Sequence, residues 1–289
     1  MDNQPFKGAK PLKGHSNYNR MRLIIFTNRD LASNINLNLL LPHIAHHVTH
    51  IFVSDKVGGK NTNPPKELKE LKFFEQTLLN DILFPQLDNQ DRDFKGQYLT
   101  FNELSKKYNV PIQSLNEVKS AEILDFIRSL QPDLILSVRY GKIFGNDFIN
   151  IPRLGVINLH SGKLPQYRGV LATFRALMNG DSEIGCTLHY IDDATIDTGG
   201  VIGFSNLKVD KSKSLFWHIM NLYPASLEIL TATIENILRG GKIETHVQTD
   251  DNAQYFTFPT QEEIVAFKQK GWSFMEVGEY EAIIRKYIL

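Results

Sequence analysis

The sequence predicts an α/β protein, a Rossmann-like layered domain with a mostly parallel sheet. Two observations carry this. The short apolar runs RLIIFT (22–27), THIFVS (49–54), PDLILSV (132–138) and GVINL (155–159) each lead into a polar or glycine-bearing loop, as strands buried on both faces do. Between them stand stretches with apolar residues at helical spacing. Strand, helix, strand in repeated order implies crossovers, and crossovers build parallel sheets covered by helices.

The elements follow in order. Residues 1–20 are polar and basic, without the apolar centre of a secretory signal. They read as a flexible arm, with Met21 opening the folded part. After the first strand, NINLNLLLPHIAHH (34–47) is helix-like but interrupted by Pro42. DKVGGKNTNPP (55–65) is loop chemistry; its VGGK lacks the spacing and the Ser/Thr of a phosphate loop. KELKELKFFEQTLLNDILF (66–84) sets Leu68, Leu71, Phe74, Leu78, Leu79 and Ile82 at helical spacing, with Phe73 and Phe74 read as core. A short helix at 101–108, an extended VPIQS (110–114) and an amphipathic helix in SAEILDFIRSLQ (120–131) come next. GCTLHYI (185–191) and GVIGFSNLKV (200–209) read as strands, and 214–239 as a long helix. GGKIETHVQTDDNAQYFTFPT (240–260) suggests a strand pair with a turn, and QEEIVAFKQKG (261–271) a capped helix. Tyr255 and Phe256 are candidates for a contact between two copies of the chain, a homodimer.

Composition excludes several classes. Lysine plus arginine (32) balances aspartate plus glutamate (32), so no net field favours nucleic acid or an anionic membrane. A single cysteine, Cys186, permits no internal disulfide and no cysteine-based metal knuckle. No apolar run approaches the ~20 residues that span a bilayer. The expected location is the cytoplasm. His43, His46, His47 and His50 include spacings that would suit zinc, but no carboxylate or cysteine stands nearby in sequence. No metal is expected.

The chemistry concentrates in GVINLHSGKLPQYRG (155–169) and YIDDATIDTGGVI (190–202). Asn158 and His160, two apart at a strand end, leave on the same face, while Leu159 points into packing. Asp197, in the later loop, is placed to approach the histidine. An amide, an imidazole and a carboxylate can together stabilise an oxyanion and move protons. Each donor in a dry site is worth typically about 3 kcal/mol. No serine or cysteine nucleophile enters this scheme, so attack by an amine would be direct. An Asn-x-His pair alone is also what a capping Asn and a core His look like. Asp192 and Asp193 equally suit turn formation, and Arg168 equally suits pairing with a loop carboxylate.

INLHSGKLPQYRG together with GCTLHYIDDATIDTGGVI resembles the folate-dependent formyltransferase family, which includes glycinamide ribonucleotide, methionyl-tRNA and amino-sugar formyltransferases and formyltetrahydrofolate deformylase. The resemblance is specific over 132–202 and extends over 21–240. It implies a formyltransferase fold, a catalytic domain at 21–240 after the arm at 1–20, and a small C-terminal extension at 241–289. It also implies Asn158, His160 and Asp197 as catalytic residues and 10-formyltetrahydrofolate as formyl donor and co-substrate. The donor's ring would lie between the loop of Arg139, Tyr140, Gly141, Lys142 and Ile143 and the loop of Asp193 and Thr195, held mainly by backbone groups. The acceptor amine would enter beside Thr27, Asn28, Arg29 and Arg168, where Arg168 suits a phosphate or carboxylate.

Two departures bear on the acceptor. Lys163 stands where a leucine is common, and residues 241–289 are shorter than the C-terminal barrel with which methionyl-tRNA formyltransferases hold tRNA. The first strand also begins too early for the regulatory domain of deformylases. The insertion at 58–100 has no assigned role. A nucleotide-linked amino sugar is the first choice of acceptor, a hydroxylamine-bearing amino acid the next, methionyl-tRNA the third. The rival readings are a hydrolase that releases formate from the same donor and a folate-binding protein without turnover.

Overall fold

A computed structural model describes residues 21–55, 64–90, 92–249 and 251–288. The arm at 1–20 and the VGGK loop lie outside the described residues. Strand β1 (Leu23–Asn28) leads into helix α1 (Leu31–Ile44), then β2 (Val48–Ser54). Residues 66–88 form one helical stretch: α2 (Lys66–Lys72), a π-helical segment (Phe73–Leu83) and α3 (Phe84–Asp88). There follow α4 (Phe101–Tyr108), β3 (Ile112–Ser114), α5 (Ala121–Ser129), β4 (Leu134–Val138), α6 (Asn146–Ile149) and β5 (Val156–His160). The remainder is β6 (Arg168–Gly169), α7 (Ala172–Asn179), β7 (Glu183–Ile184), β8 (Thr187–Ile191), β9 (Val201–Phe204), β10 (Leu207–Lys208), α8 (Leu215–Leu238), β11 (Tyr255–Phe256), α9 (Gln261–Gln269) and α10 (Val277–Ile288).

The main sheet runs β3-β2-β1-β4-β5-β8-β9. It is parallel from β3 to β5, after which β8 and β9 join antiparallel. Period-two alternation divides the core: Leu23 and Ile25 face α1 and α8, while Ile24 and Phe26 pack with Ile127 of α5 and Phe148 of α6. The strand order reverses between β1 and β4, and the crevice outside their carboxyl ends is where such sheets collect ligands.

Three expectations need correction. Pro42 does not interrupt α1; the helix begins earlier, at Leu31 with Asp30 as N-cap, and passes through Pro42 in its last turn, where one lost hydrogen bond costs least. In the helical stretch 66–88, Ile82 and Phe73 are exposed (43% and 41%), and Glu75 is buried instead. The i→i+5 turns of the π segment widen the repeat, so Leu71, Glu75 and Leu79 share the inner face at spacings of four. Phe74 is half-buried against the ring of Tyr280, 5.0 Å away. The strand pair expected in 240–260 also does not form with itself. His246 bridges Val201, and β11 pairs in parallel with β6.

Beyond residue 240 the chain packs onto the same core. Thr260 and Glu263 form a reciprocal capping box on α9, and the ring of Phe267 packs at a tilt 4.6 Å from that of Phe174. Helix α10, which the periodicity reading leaves unassigned, buries Tyr280, Ile283 and Tyr287. Tyr287 is fully buried beside Phe84 and Tyr98 and donates its hydroxyl to Asn34 Oδ1 at 2.6 Å. Tyr287→Ala is expected to cost roughly 3–5 kcal/mol, read as a fall in the urea midpoint; an unchanged midpoint would mean that α10 contributes nothing to the core.

Candidate active site

The site is built first by strand register. Asn158 on β5 lies directly opposite His189 on β8, and His160 opposite Thr187. Directly opposed residues share a face, as do residues two apart along one strand. Four polar side chains therefore project together, while Ile157 and Leu159 go into the core. His189 Nδ1–H donates to the carbonyl of Tyr190 (2.8 Å), so in the neutral ring Nε2 is an acceptor for Asn158 Nδ2–H (3.1 Å). One amide hydrogen of Asn158 is thereby fixed and the other is free to donate. Thr187 receives the N–H of Leu164 (3.0 Å) and donates to the carbonyl of Gly162 (2.7 Å), which ties the loop after β5 to β8. Gly162 is required there. A Cβ would stand 2.5 Å from that of Ala172 and 2.9 Å from His160 Nε2.

Asp197 meets this face from the loop between β8 and β9. Its Oδ2 lies 3.4 Å from His160 Nδ1 and accepts the N–H of Gly169 (2.9 Å); its Oδ1 lies 3.6 Å from His189 Nε2. The Asp197 side chain is only 9% exposed. Burial alone would raise its carboxyl, but the charge of His160, the hydrogen bond and charge that His189 offers in its protonated form, and the Gly169 N–H outweigh it and hold the group down at about 2. The carboxylate is thus ionised at neutral pH. His160 Nε2–H donates to the carbonyl of Tyr167 (2.6 Å), so both ring nitrogens of His160 face acceptors. His160 can serve an oxyanion only by exchanging that Tyr167 bond.

Of the residues expected at the crevice between β1 and β4, Asn28 and Gly141 meet each other, while the side chains of Arg29, Arg139 and Tyr140 are engaged elsewhere. Asn28 Oδ1 accepts the N–H of Gly141 (2.9 Å), joining the β1 end to the loop after β4. Thr27 is buried between the neighbouring strands. Arg29 pairs with Asp55 (2.7 Å) and reaches Ser114 (3.0 Å), so its guanidinium turns towards β2 and β3. Tyr140 donates to the carbonyl of Leu115 (2.7 Å); Lys142 is half-buried and Ile143 is exposed. Arg139 points inward: it pairs with Asp30 (3.2 Å) and Glu75 (2.9 Å) and donates to the Tyr223 hydroxyl (3.1 Å). Its side chain is thus engaged in the interior, while its loop carries Gly141 to Asn28.

Burial pushes the Glu75 carboxyl up to about 7, with Arg139 opposing the rise and Asp30 adding to it. The folded pKa exceeds the unfolded one, so Glu75 favours the folded state most below about 4.5 and loses that contribution as pH rises to about 7. Glu75→Gln should therefore flatten the decline in stability between pH 5 and pH 7.5, measured by urea unfolding. An identical decline in both proteins would assign the slope to other groups.

Asp193 and Thr195 stand in an exposed loop, where Asp193 Oδ1 accepts the N–H of Thr195 (2.7 Å). Arg168 contacts Gln248 Oε1 (Nη2 at 3.0 Å). Tyr255 and Phe256 contact their own chain: β11 pairs with β6, and Arg175 sits 4.9 Å over the Phe256 ring. Sequence reasoning missed His189, Thr187 and Gln248. The first two carried a signal, since they repeat the two-apart polar spacing of Asn158 and His160 on the adjacent strand. Gln248 had none. Among the described residues no three histidine, cysteine or acidic side chains are placed to share a metal ion, and His50 stacks on Phe52 at 5.8 Å. No helix among them is long and apolar enough to cross a membrane.

The chain is similar to several known proteins. Residues 91–216 match the family described as formyl transferase. The chain is 34% identical over 170 residues to the bifunctional polymyxin resistance protein ArnA of Wigglesworthia glossinidia brevipalpis, covering 57% of this chain and 25% of that one. It is 31% identical over 162 residues to methionyl-tRNA formyltransferase of Thermotoga maritima, covering 56% and 51%. The chain thus spans between a quarter and about half the length of these relatives. Among solved structures, a sugar N-formyltransferase from Shewanella sp FDAARGOS_354 superposes with a TM-score of 0.53 at 14% identity over 86% of each chain. An N-formyltransferase from Helicobacter canadensis, in complex with folinic acid and dTDP-3-aminofucose, superposes with a TM-score of 0.52 at 14% identity, over 93% of this chain and 81% of that one. At such identity these likenesses establish the fold. The matched core at 91–216 holds Asn158, His160 and Asp197, and over that stretch the chain is similar to formyl transferases.

Proposed function

We propose that the chain transfers a formyl group from 10-formyltetrahydrofolate to a primary amine of a small acceptor. The observation that carries this reading is the ionised Asp197 carboxylate set between His160 and His189, with Asn158 beside it. In this reading the acceptor amine attacks the formyl carbon directly. The free amide hydrogen of Asn158 meets the formyl oxygen as negative charge builds on it. His160 and Asp197 take up the proton that the amine must lose and return it to the departing nitrogen of the donor. Cys186 has no part as a nucleophile: it is buried, and burial pushes its thiol up to about 11.

A nucleotide-linked amino sugar is the preferred acceptor. Support comes from the extent of the likeness to sugar N-formyltransferases, 86% of both chains in the Shewanella case, and from a net charge of zero, which offers no general attraction for tRNA. The test is conversion of 10-formyltetrahydrofolate with and without a mixture of amine metabolites, read by mass spectrometry. Conversion only with the mixture, giving a product heavier by one formyl group, is expected and would identify the acceptor. Equal conversion without it, releasing formate, would replace the transferase reading by a hydrolase.

A further inference from the structure

Asp197 is held by loops, and both loops are fastened by residues beyond the family core. Gln248 donates its amide to the carbonyls of Asp197 (3.0 Å) and Gly199 (2.9 Å), and its Oε1 accepts from Arg168 Nη2 (3.0 Å) and Nε (3.3 Å). Every polar atom of that side chain is used. Two residues earlier, His246 exchanges both backbone hydrogen bonds with Val201, each 2.8 Å. On the other side of the carboxylate, the Gly169 N–H that Asp197 accepts belongs to β6. The backbone N–H groups of Arg168 and Val170 donate to the carbonyls of Gln254 and Phe256, each 2.9 Å. The fit at Gly169 is close, with φ at +96° and a Cβ that would come within 2.2 Å of the Phe256 carbonyl.

We propose that Gln248 is a positioning residue for Asp197, and that the segment after α8 completes the active site by clamping the β6 loop and the Asp197 loop to each other. Asp197 itself has φ at +57°, in the left-handed region that costs a non-glycine residue energy. A carbonyl anchored by Gln248 holds that conformation and sets the carboxylate against His160. Amide and guanidinium together make the clamp directional: the amide nitrogen serves the Asp197 loop, the amide oxygen serves the β6 loop. The inference rests on the proposed formyl transfer for its kinetic consequence, though not for its structural one.

The experiment compares Gln248→Ala and Gln248→Glu with the native chain, in full length. Gln248→Glu keeps an acceptor for Arg168 but sets a carboxylate against two carbonyl oxygens. Two readouts are taken. In the formyl-transfer assay, kcat is expected to fall about 10- to 100-fold in both variants with KM for the donor changed less than about 3-fold, the effect of a catalytic group displaced by roughly 1 Å. In hydrogen–deuterium exchange, the Gly169 amide should exchange at least about 10-fold faster in both, with an unchanged melting temperature. Faster exchange in a chain whose native form transfers no formyl group would keep the positioning and remove the function. Native exchange and native kcat in both variants would overturn the positioning role, and a fall in kcat that only tracks a lowered melting temperature would make Gln248 merely structural.

Discussion

Asn158→Ala will lower kcat for formyl transfer at least ~100-fold while leaving the fold intact, and Asp197→Asn will do the same. The two losses have different causes. In the proposed transfer Asn158 supplies a donor whose geometry is preset by His189, so its removal would take stabilisation from the developing oxyanion and little from the ground state. Asp197→Asn is isosteric and keeps an acceptor for the Gly169 N–H, but it deletes the charge that faces His160 and His189. Steady-state kinetics beside circular dichroism checks both. Near-native rates in correctly folded variants would remove the assignment of these residues to catalysis.

Arg139→Met should lower stability as much as Tyr287→Ala does. It leaves Asp30 fully buried and Glu75 almost so, without the guanidinium that neutralises them. Breaking one side of a buried ion cluster costs about 3–5 kcal/mol. Part of that loss should be recovered at pH 5, where Glu75 can take a proton, and none of that relief is available at pH 7.5. Urea unfolding at the two pH values tests this. Native stability at pH 7.5 would show that the cluster is solvated in solution. The cluster also gives the insertion a structural role. Glu75 from the π-helical segment, Asp30 at the N-cap of α1 and Tyr223 of α8 all converge on Arg139, and Arg139 opens the loop in which Gly141 meets Asn28.

How much was legible before the fold was known varies by element. The runs that became β1, β2, β4 and β5 are apolar without alternation, a local signal that survives folding because both faces of a parallel sheet are buried. Asn158 and His160 were readable for the same reason that the strand was. Their spacing of two puts them on one face wherever the strand goes, and Asp197 came from its place in the later loop together with the resemblance. Helical period failed in 66–88, where π turns moved Glu75 inward and Ile82 outward. It failed for the 240–260 segment too, since β-pairing depends on partners distant in the chain: Arg168 and Gly169 for β11, Val201 for His246.

Local spacing and burial preference were therefore enough to set the strands, most helices and the shared direction of Asn158 and His160. What surrounds those two residues was decided by packing. His189 is a partner of Asn158 because β8 runs antiparallel to β5 in one particular register, and a shift by one residue would turn it to the other face. Arg139 is an interior cation because three separate elements bring carboxylates and a hydroxyl to it. Gln248 reaches the Asp197 loop because the chain returns across the sheet edge after α8. Each is a contact between residues far apart in sequence, and no periodicity along the chain encodes such a distance.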